Sequence, residues 1–399
     1  MSANQTRPAA PTSIVVIGGG YAGVMAANRL MTRDDVRVTL TNPRAQFVER
    51  IRLHQLVTDS DDAVEDYATV LNSGVRLVVD GAHRIDAAAR RVTLTAGDIL
   101  DYDYLVYAVG STGSVPASVP GAAEFAYPLS ELEQARRLRE RLADVPMKAP
   151  IVEVGGGLTG IEAASEFAET GRHVTLVSGM VGPSLSKPGR RSVVKRLTKL
   201  GVAMVEGADA AVSAVGPDHV VLADGRVLAS AVTVWTAGFG VPGLAAASGL
   251  TTDAAGRLVT DETLTSVDDV RIVAAGDAAA PSRLPYRMSC QASLPLGAQA
   301  ANTILSRIAG TPIADVSVPM SAQCISLGRG GGTLQFQHKD DTVTNVYIGG
   351  RAGAFIKEQV CRYTVKWLRG EAAKPGSYTS LKGPDRAALL AEAKVVPVR

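Results

Sequence analysis

Two glycine clusters have the residue types and spacing that can do chemistry. "GGGYAG" places Gly18, Gly20 and Gly23 in a GxGxxG pattern, and "GGGLTG" repeats it at Gly155, Gly157 and Gly160, 137 positions further on from Gly18 to Gly155. Each follows an apolar run and precedes an alanine-rich stretch, the layout of strand, turn and helix. In such a unit the first glycine permits the tight turn, the second lets backbone approach a pyrophosphate, and the third allows helix and strand to pack closely. The helix N-terminus then offers free amides and a partial positive charge to the phosphates. One such pattern is a weak signal, because glycine turns are common. Two in matching contexts predict two bound dinucleotides.

The residue ending the next strand reads the ribose. Asn42 stands 19 positions after Gly23, where an acid is expected, and its amide can bond ribose hydroxyls without charge assistance. In the second unit "HVTLVSG" puts Ser178 at that place, 18 positions after Gly160. No carboxylate there repels a 2′-phosphate, so NADPH is admissible alongside NADH. Two readings of Lys187, Arg190 and Arg191 stand: they meet that phosphate, or they solvate a helix.

The elements that must position these residues follow from pattern. "SIVVIGGGYAGVMAANRL" and "RVTLTN" make one βαβ unit, with a parallel sheet and a right-handed connection. "VRLVVDGAHRID" and the hairpin-like "RRVTLTAGDILDYDYLVYAVG" follow. A Pro- and Gly-rich passage from Pro116 to Pro128 reads as a domain crossing. Ser130 and Glu133 then form an expected capping box that opens a helix through Leu142. The second βαβ unit begins at Ile151, and Asp224-Gly225 marks a hairpin. "VRIVAAGDAAA" returns to the buried-strand pattern, and a helix runs from about Ser293 to Ile308, with Pro295 tolerable only in its first turn. Past Pro319 the pattern is β-like, then helical from about Ala354 to Arg369. The expected architecture is α/β: two Rossmann-like units, the first over 13–125 and 247–316 and the second, 126–246, inserted into it, plus an α+β segment over 317–399.

At 399 residues, 46% hydrophobic and 20% charged, with a net charge of +2, the chain has globular composition and no nucleic-acid surface. Cys290, Cys324 and Cys361 lie far apart, with no CxxC or metal spacing, which fits a reducing cytoplasm. The opening "MSANQTRPAAPT" reads as a loose tail, and no apolar run reaches the ~18 residues of a membrane span.

Five motifs in order carry a family resemblance: "GGGYAG", "YDYLVYAVGS", "GGGLTGIEAASEFAE", "VWTAG" and "VRIVAAGDAA". The chain resembles the two-dinucleotide-binding-domain flavoproteins, which are similar in fold to pyridine nucleotide-disulphide oxidoreductases. Within them it looks most like type II NADH dehydrogenases and apoptosis-inducing-factor-like reductases. The resemblance implies FAD in the first unit, held by Gly18, Gly20, Tyr21, Ala22 and Gly23, with Asn42 at the ribose and Ala82 at the adenine. It places Arg50, Ala108, Gly110, Gly276, Asp277, Gln291 and Ala292 along the flavin, Asp277 at the ribityl chain. NAD(P)H would sit on Gly155, Gly157, Thr159, Gly160, Ser178, Ala237 and Gly238. Glu162 falls where the family has an acid near nicotinamide and flavin, or else it complements its helix dipole.

"SCQASLPLG" resembles the quinone-dehydrogenase segment "AQxAxQQG". Gln291 and Gly297 match, whereas Cys290, Pro295 and Leu296 depart from it. Amides opening that helix would face the flavin's pyrimidine edge, and Cys290 is either a thiol beside the flavin or an inert buried residue. "QFVERIRLHQL" lacks the CxxxxC pair of disulfide reductases, so dithiol chemistry is not expected. His54 is a second flavin-side candidate in this segment, after Arg50. The implied activity is FAD-dependent NAD(P)H dehydrogenation with a quinone-like acceptor. Its rivals are a reductase for a protein electron carrier and a low-turnover NAD(P)H-responsive regulator. Ile356, Val360, Tyr363 and Trp367 form an apolar stripe beside Arg362, Lys366 and Arg369. It would pack on the core or a homodimer partner, or place residues 354–369 on the cytoplasmic membrane face.

Overall fold

The apolar run Thr12–Ile17 becomes the middle strand of a five-stranded, all-parallel sheet. Its order is Ile272–Ala274, Tyr104–Tyr107, Thr12–Ile17, Val36–Asn42, Arg76–Val79. Helices cover one face of this sheet and the antiparallel strands Ala82–Asp86, Arg91–Leu94 and Ile99–Asp101 cover the other, so its inner strands are buried on both sides and read as nearly unbroken Val, Ile and Leu. A second parallel sheet repeats the plan around Pro150–Val154, in the order Ala126–Pro128, Val232–Trp235, Pro150–Val154, His173–Ser178, Ala203–Glu206. The chain leaves the first sheet after Tyr107 and returns to it at Ile272. The second unit is therefore inserted in the first, as the late "VRIVAAGDAA" strand suggested. This computed structural model describes residues 10–395. Residues 1–9 of the expected N-terminal tail lie outside the described residues.

Each glycine turn leads into a buried helix, Tyr21–Leu30 in the first unit and Leu158–Glu169 in the second. The first packs against Cys290–Ala309 with little space between them: a Cβ on Gly297 would lie 2.3 Å from the Ala22 carbonyl oxygen. After this helix come three antiparallel strands, Ala322–Ser326, Gly332–Gln337 and Val343–Gly349, and the long helix Gly350–Ala373. Among the described residues no helix is long and apolar enough to cross a membrane.

Three local expectations need correction. The helix after the domain crossing is Leu132–Asp144, and its capping box is Glu131 with Gln134 rather than Ser130 with Glu133. Ser130 Oγ instead accepts from the Gly113 amide, and Glu133 binds Arg44. The helix expected from Ser293 begins at Cys290 because Ser289 caps it, which leaves Pro295 in the second turn, inside the helix. Finally, the apolar stripe of the long helix Gly350–Ala373 is not its packing face. Tyr363 and Trp367 are 44% and 46% exposed, and the buried face is one position over, at Gly353, Lys357, Cys361, Thr364, Val365 and Leu368. Small residues decide this: a Cβ on Gly353 would lie 2.4 Å from the Gly332 carbonyl oxygen, so only that face seats closely on the sheet.

Candidate dinucleotide and electron-transfer site

The first turn is built for backbone. Gly18 has φ +104°, and a Cβ there would lie 2.3 Å from the Ala108 carbonyl oxygen. A Cβ on Gly23 would lie 1.8 Å from the Gly18 oxygen, yet one on Gly20 would meet nothing within 4 Å. The open side of Gly20 is the cradle. Asn42 Oδ1 accepts from the Gly19 amide at 3.0 Å and its Nδ2 donates to the Arg44 carbonyl at 2.8 Å, so both ends already hold the turn. Tyr67, which sequence did not mark, donates to the Gly19 carbonyl at 2.8 Å. Tyr21 turns its ring inward, edge-on to Phe47 at 5.1 Å, and Ala22 packs under Gly276 and Gly297. Both have only main-chain atoms left for a phosphate. Thr41 Oγ1 donates to the carbonyl of Asp80, which follows Asn42's strand partner Val79 and precedes Ala82 by two residues.

Several expected flavin-side residues meet. Arg50 Nη1 donates to Ser111 Oγ at 3.0 Å, and Ser111 Oγ donates to Asp277 Oδ2 at 2.7 Å. Asp277 Oδ1 accepts from the Ser289 amide at 3.1 Å. Gly110 and Gly276, with φ +72° and +69°, bend the chain beside this network. Gln291 Nε2 donates to the Pro319 carbonyl at 3.2 Å, so that side chain ties the helix to the C-terminal segment. Ala292 is buried in the core, and its amide is capped by Ser289 Oγ.

The second turn copies the first. Gly155 has φ +132°, and a Cβ there would lie 2.6 Å from Thr236 Oγ1 and 2.9 Å from the Ala237 amide nitrogen. A Cβ on Gly160 would lie 1.9 Å from the Gly155 oxygen, and one on Gly157 would meet nothing within 4 Å. Thr159 sits half-buried in the first helical turn. The Ala237 carbonyl accepts from Trp235 Nε1, and Gly238 turns the chain at φ +93°. Among the described residues, Tyr21 Oη, His54 Nε2 and Ser178 Oγ are buried with no hydrogen-bond partner. Two open glycine cradles, the second with the stranded Ser178 Oγ beside it, fit two dinucleotides.

Glu162 lies beyond the first helical turn and does not serve the helix dipole. Lys357 Nζ donates to its Oε1 at 2.9 Å, as does the Ser326 amide, and His54 Nδ1 stands 3.9 Å from Oε2. Burial alone would raise the Glu162 carboxyl, but the Lys357 ammonium and the other polar neighbours hold it below the usual range. Burial alone would likewise lower Lys357, and Glu162 reverses that. Both stay charged. Gln55, Ser326, Arg329, Phe355 and Lys357 line a cavity of about 480 Å³ beside the pair. Burial pushes the Cys290 thiol up to about 12, so it is inert at neutral pH.

Burial also pushes His54 down to about 4 from 6.5. The unfolded chain therefore binds the extra proton first, and stability is lost as pH falls from 6.5 to 4, by about 3 kcal/mol from this residue. Glu49, pushed up to about 7 by burial, titrates with the opposite sign. The measurement is therefore the denaturation difference between wild type and H54Q. That difference should shrink by about 3 kcal/mol across this window, and a flat difference would mean that water reaches His54.

The comparisons agree with this geometry. A NADH dehydrogenase-like protein of Mycobacterium tuberculosis is 32% identical over 352 residues, spanning 80% of this chain and 86% of its own. The sulfide:quinone oxidoreductase of Aquifex aeolicus shares the fold with a TM-score of 0.74 at 18% identity, over 97% of this chain and 96% of that one. NDH2 from Plasmodium falciparum in complex with NADH does so at 0.72 and 15% identity, over 93% and 99%. The family described as pyridine nucleotide-disulphide oxidoreductase matches residues 12–302, a span that contains both glycine turns, Glu162 and Asp277, and the chain belongs to it as an NAD(P)H oxidoreductase.

Proposed function

We propose that the protein is an FAD-dependent NAD(P)H dehydrogenase whose electrons go to a quinone or quinone-like acceptor. FAD and NAD(P)H are the dinucleotides that the family implies. Bound FAD would supply the two-electron redox chemistry between nicotinamide and acceptor. The residues around Gly20, Asn42, Arg50, Ser111 and Asp277 bind and orient it, and those around Gly157 and Ser178 bind the coenzyme.

The observation that carries the acceptor reading is Lys357, which lines the cavity of about 480 Å³ and is paired with Glu162 behind it. A quinone that accepts two electrons also needs protons and a counter-charge for its oxygen. Lys357 holds a proton at Nζ beside that space, and Glu162 keeps the amine charged despite burial. The aromatic, basic surface of the helix Gly350–Ala373, with Phe355, Tyr363, Trp367, Arg362, Lys366 and Arg369, supports an acceptor drawn from a membrane surface.

The test is an anaerobic titration of the yellow protein. One equivalent of NADH or NADPH should bleach the flavin, and menadione should restore its colour. Flavin that stays oxidised with both coenzymes refutes the dehydrogenase. Bleached protein that reoxidises with an iron–sulfur carrier but with no quinone refutes the acceptor.

A further inference from the structure

The rim of the second cradle contains an acid that the glycine pattern does not announce. Parallel register sets Ser178, the last residue of its strand, opposite Glu206, the last of the neighbouring one. Glu206 Oε1 accepts from the Val181 amide at 2.7 Å and from Arg190 Nη2 at 2.5 Å. Arg190 Nε donates to the Val181 carbonyl at 2.8 Å. Glu206 and Arg190 thus clamp the loop 179–181 from both sides. That loop lies directly over the glycine turn: a Cβ on Gly156 would lie 2.2 Å from the Met180 oxygen and 2.5 Å from Ser178 Oγ. Of the three downstream cations, Lys187 and Arg191 are exposed, and only Arg190 is turned to this loop.

The geometry points to the Glu206–Arg190 pair as the device that selects the coenzyme, with NADH favoured over NADPH. The inference rests on the reading that the second turn holds the nicotinamide dinucleotide. Ser178 Oγ, buried and without a partner, is the group available to an adenosine 2′-hydroxyl. A 2′-phosphate would add about −1.5 to −2 charges at this rim. It needs a free guanidinium, and Arg190 is already engaged, by a charge-assisted bond to Glu206 and a bond to the Val181 carbonyl. Glu206 therefore acts twice, by withholding the cation and by adding a like charge of its own. Its carboxylate comes from the strand beside Ser178 rather than from the ribose position itself.

The experiment measures kcat/KM for NADH and NADPH in wild type, E206Q and R190M. Wild type should favour NADH. E206Q should shift the ratio toward NADPH by about tenfold, the scale of one charge-assisted bond gained. R190M, which leaves Glu206 bare, should shift it the other way. S178A should weaken NADH severalfold, and it reads the same rim if E206Q fails to fold. A wild type that prefers NADPH, or an E206Q ratio equal to wild type while NADH still bleaches the flavin, overturns the assignment. Flavin that neither coenzyme bleaches in wild type removes the underlying reading, and this inference with it.

Discussion

Gly20→Val should yield a folded protein without its yellow colour. Gly20 caps the first helix with φ −83°, an angle valine adopts freely, and its Cβ direction is open. In the empty chain the change costs about 1 kcal/mol, the loss of a good N-cap residue. With a dinucleotide present, the isopropyl group occupies the space where backbone must approach the pyrophosphate. Flavin affinity should fall at least about a hundredfold, equivalent to about 3 kcal/mol. Flavin content read by absorbance after gel filtration, beside thermal unfolding of stripped protein, separates the two effects. Gly18→Val is the contrast: at φ +104°, against the Ala108 oxygen, it should disrupt folding itself. A G20V protein that keeps full flavin occupancy would mean that the first turn is not the cradle.

Lys357→Met should destabilise the protein by about 3–5 kcal/mol, because it strands the Glu162 carboxylate in the interior. The double variant Glu162→Gln/Lys357→Met removes both charges and should recover most of that loss. Since Glu162 is held below the usual carboxylate range, the contribution of the pair is present above that range and disappears as pH falls through it. Urea titration of the two variants measures this. Function is the second readout. The double variant should still be bleached by NADH, yet reoxidise with menadione about a hundredfold more slowly, the scale of a lost proton donor. Unchanged reoxidation would leave the pair a structural strut and move the acceptor elsewhere.

The glycine turns were legible in sequence because each demand there is local. A positive φ at Gly18, the Gly18 carbonyl 1.8 Å from the missing Cβ of Gly23 and an open cradle at Gly20 are all met within a few residues, so the spacing reveals them. Asp277 was legible in the same way, from its place after a buried strand. Lys357 was not, because its partner Glu162 lies on a distant segment and only tertiary packing joins them. A signal existed: Gly353, Lys357 and Cys361 recur at intervals of four, so a lysine sits on a stripe of small residues. The larger residues at 356, 360, 363 and 367 obscured that stripe by looking like the obvious inner face. Glu206 was hidden for another reason. Its role depends on which strand lies beside Ser178 and in what register, and neither can be read from a single strand.

The long helix Gly350–Ala373 is fastened at both ends to different parts of the molecule. Near its start Lys357 grips Glu162 of the inserted unit. Near its end Glu371 meets Arg29, the Leu368 carbonyl accepts from Asn28, and the Ala372 carbonyl accepts from Asn72, all in the first unit. It works as a cross-brace. A swing of one unit against the other would have to bend this rod or tear out a buried ion pair, so the gap the electrons must jump is set when the chain folds rather than at each turnover.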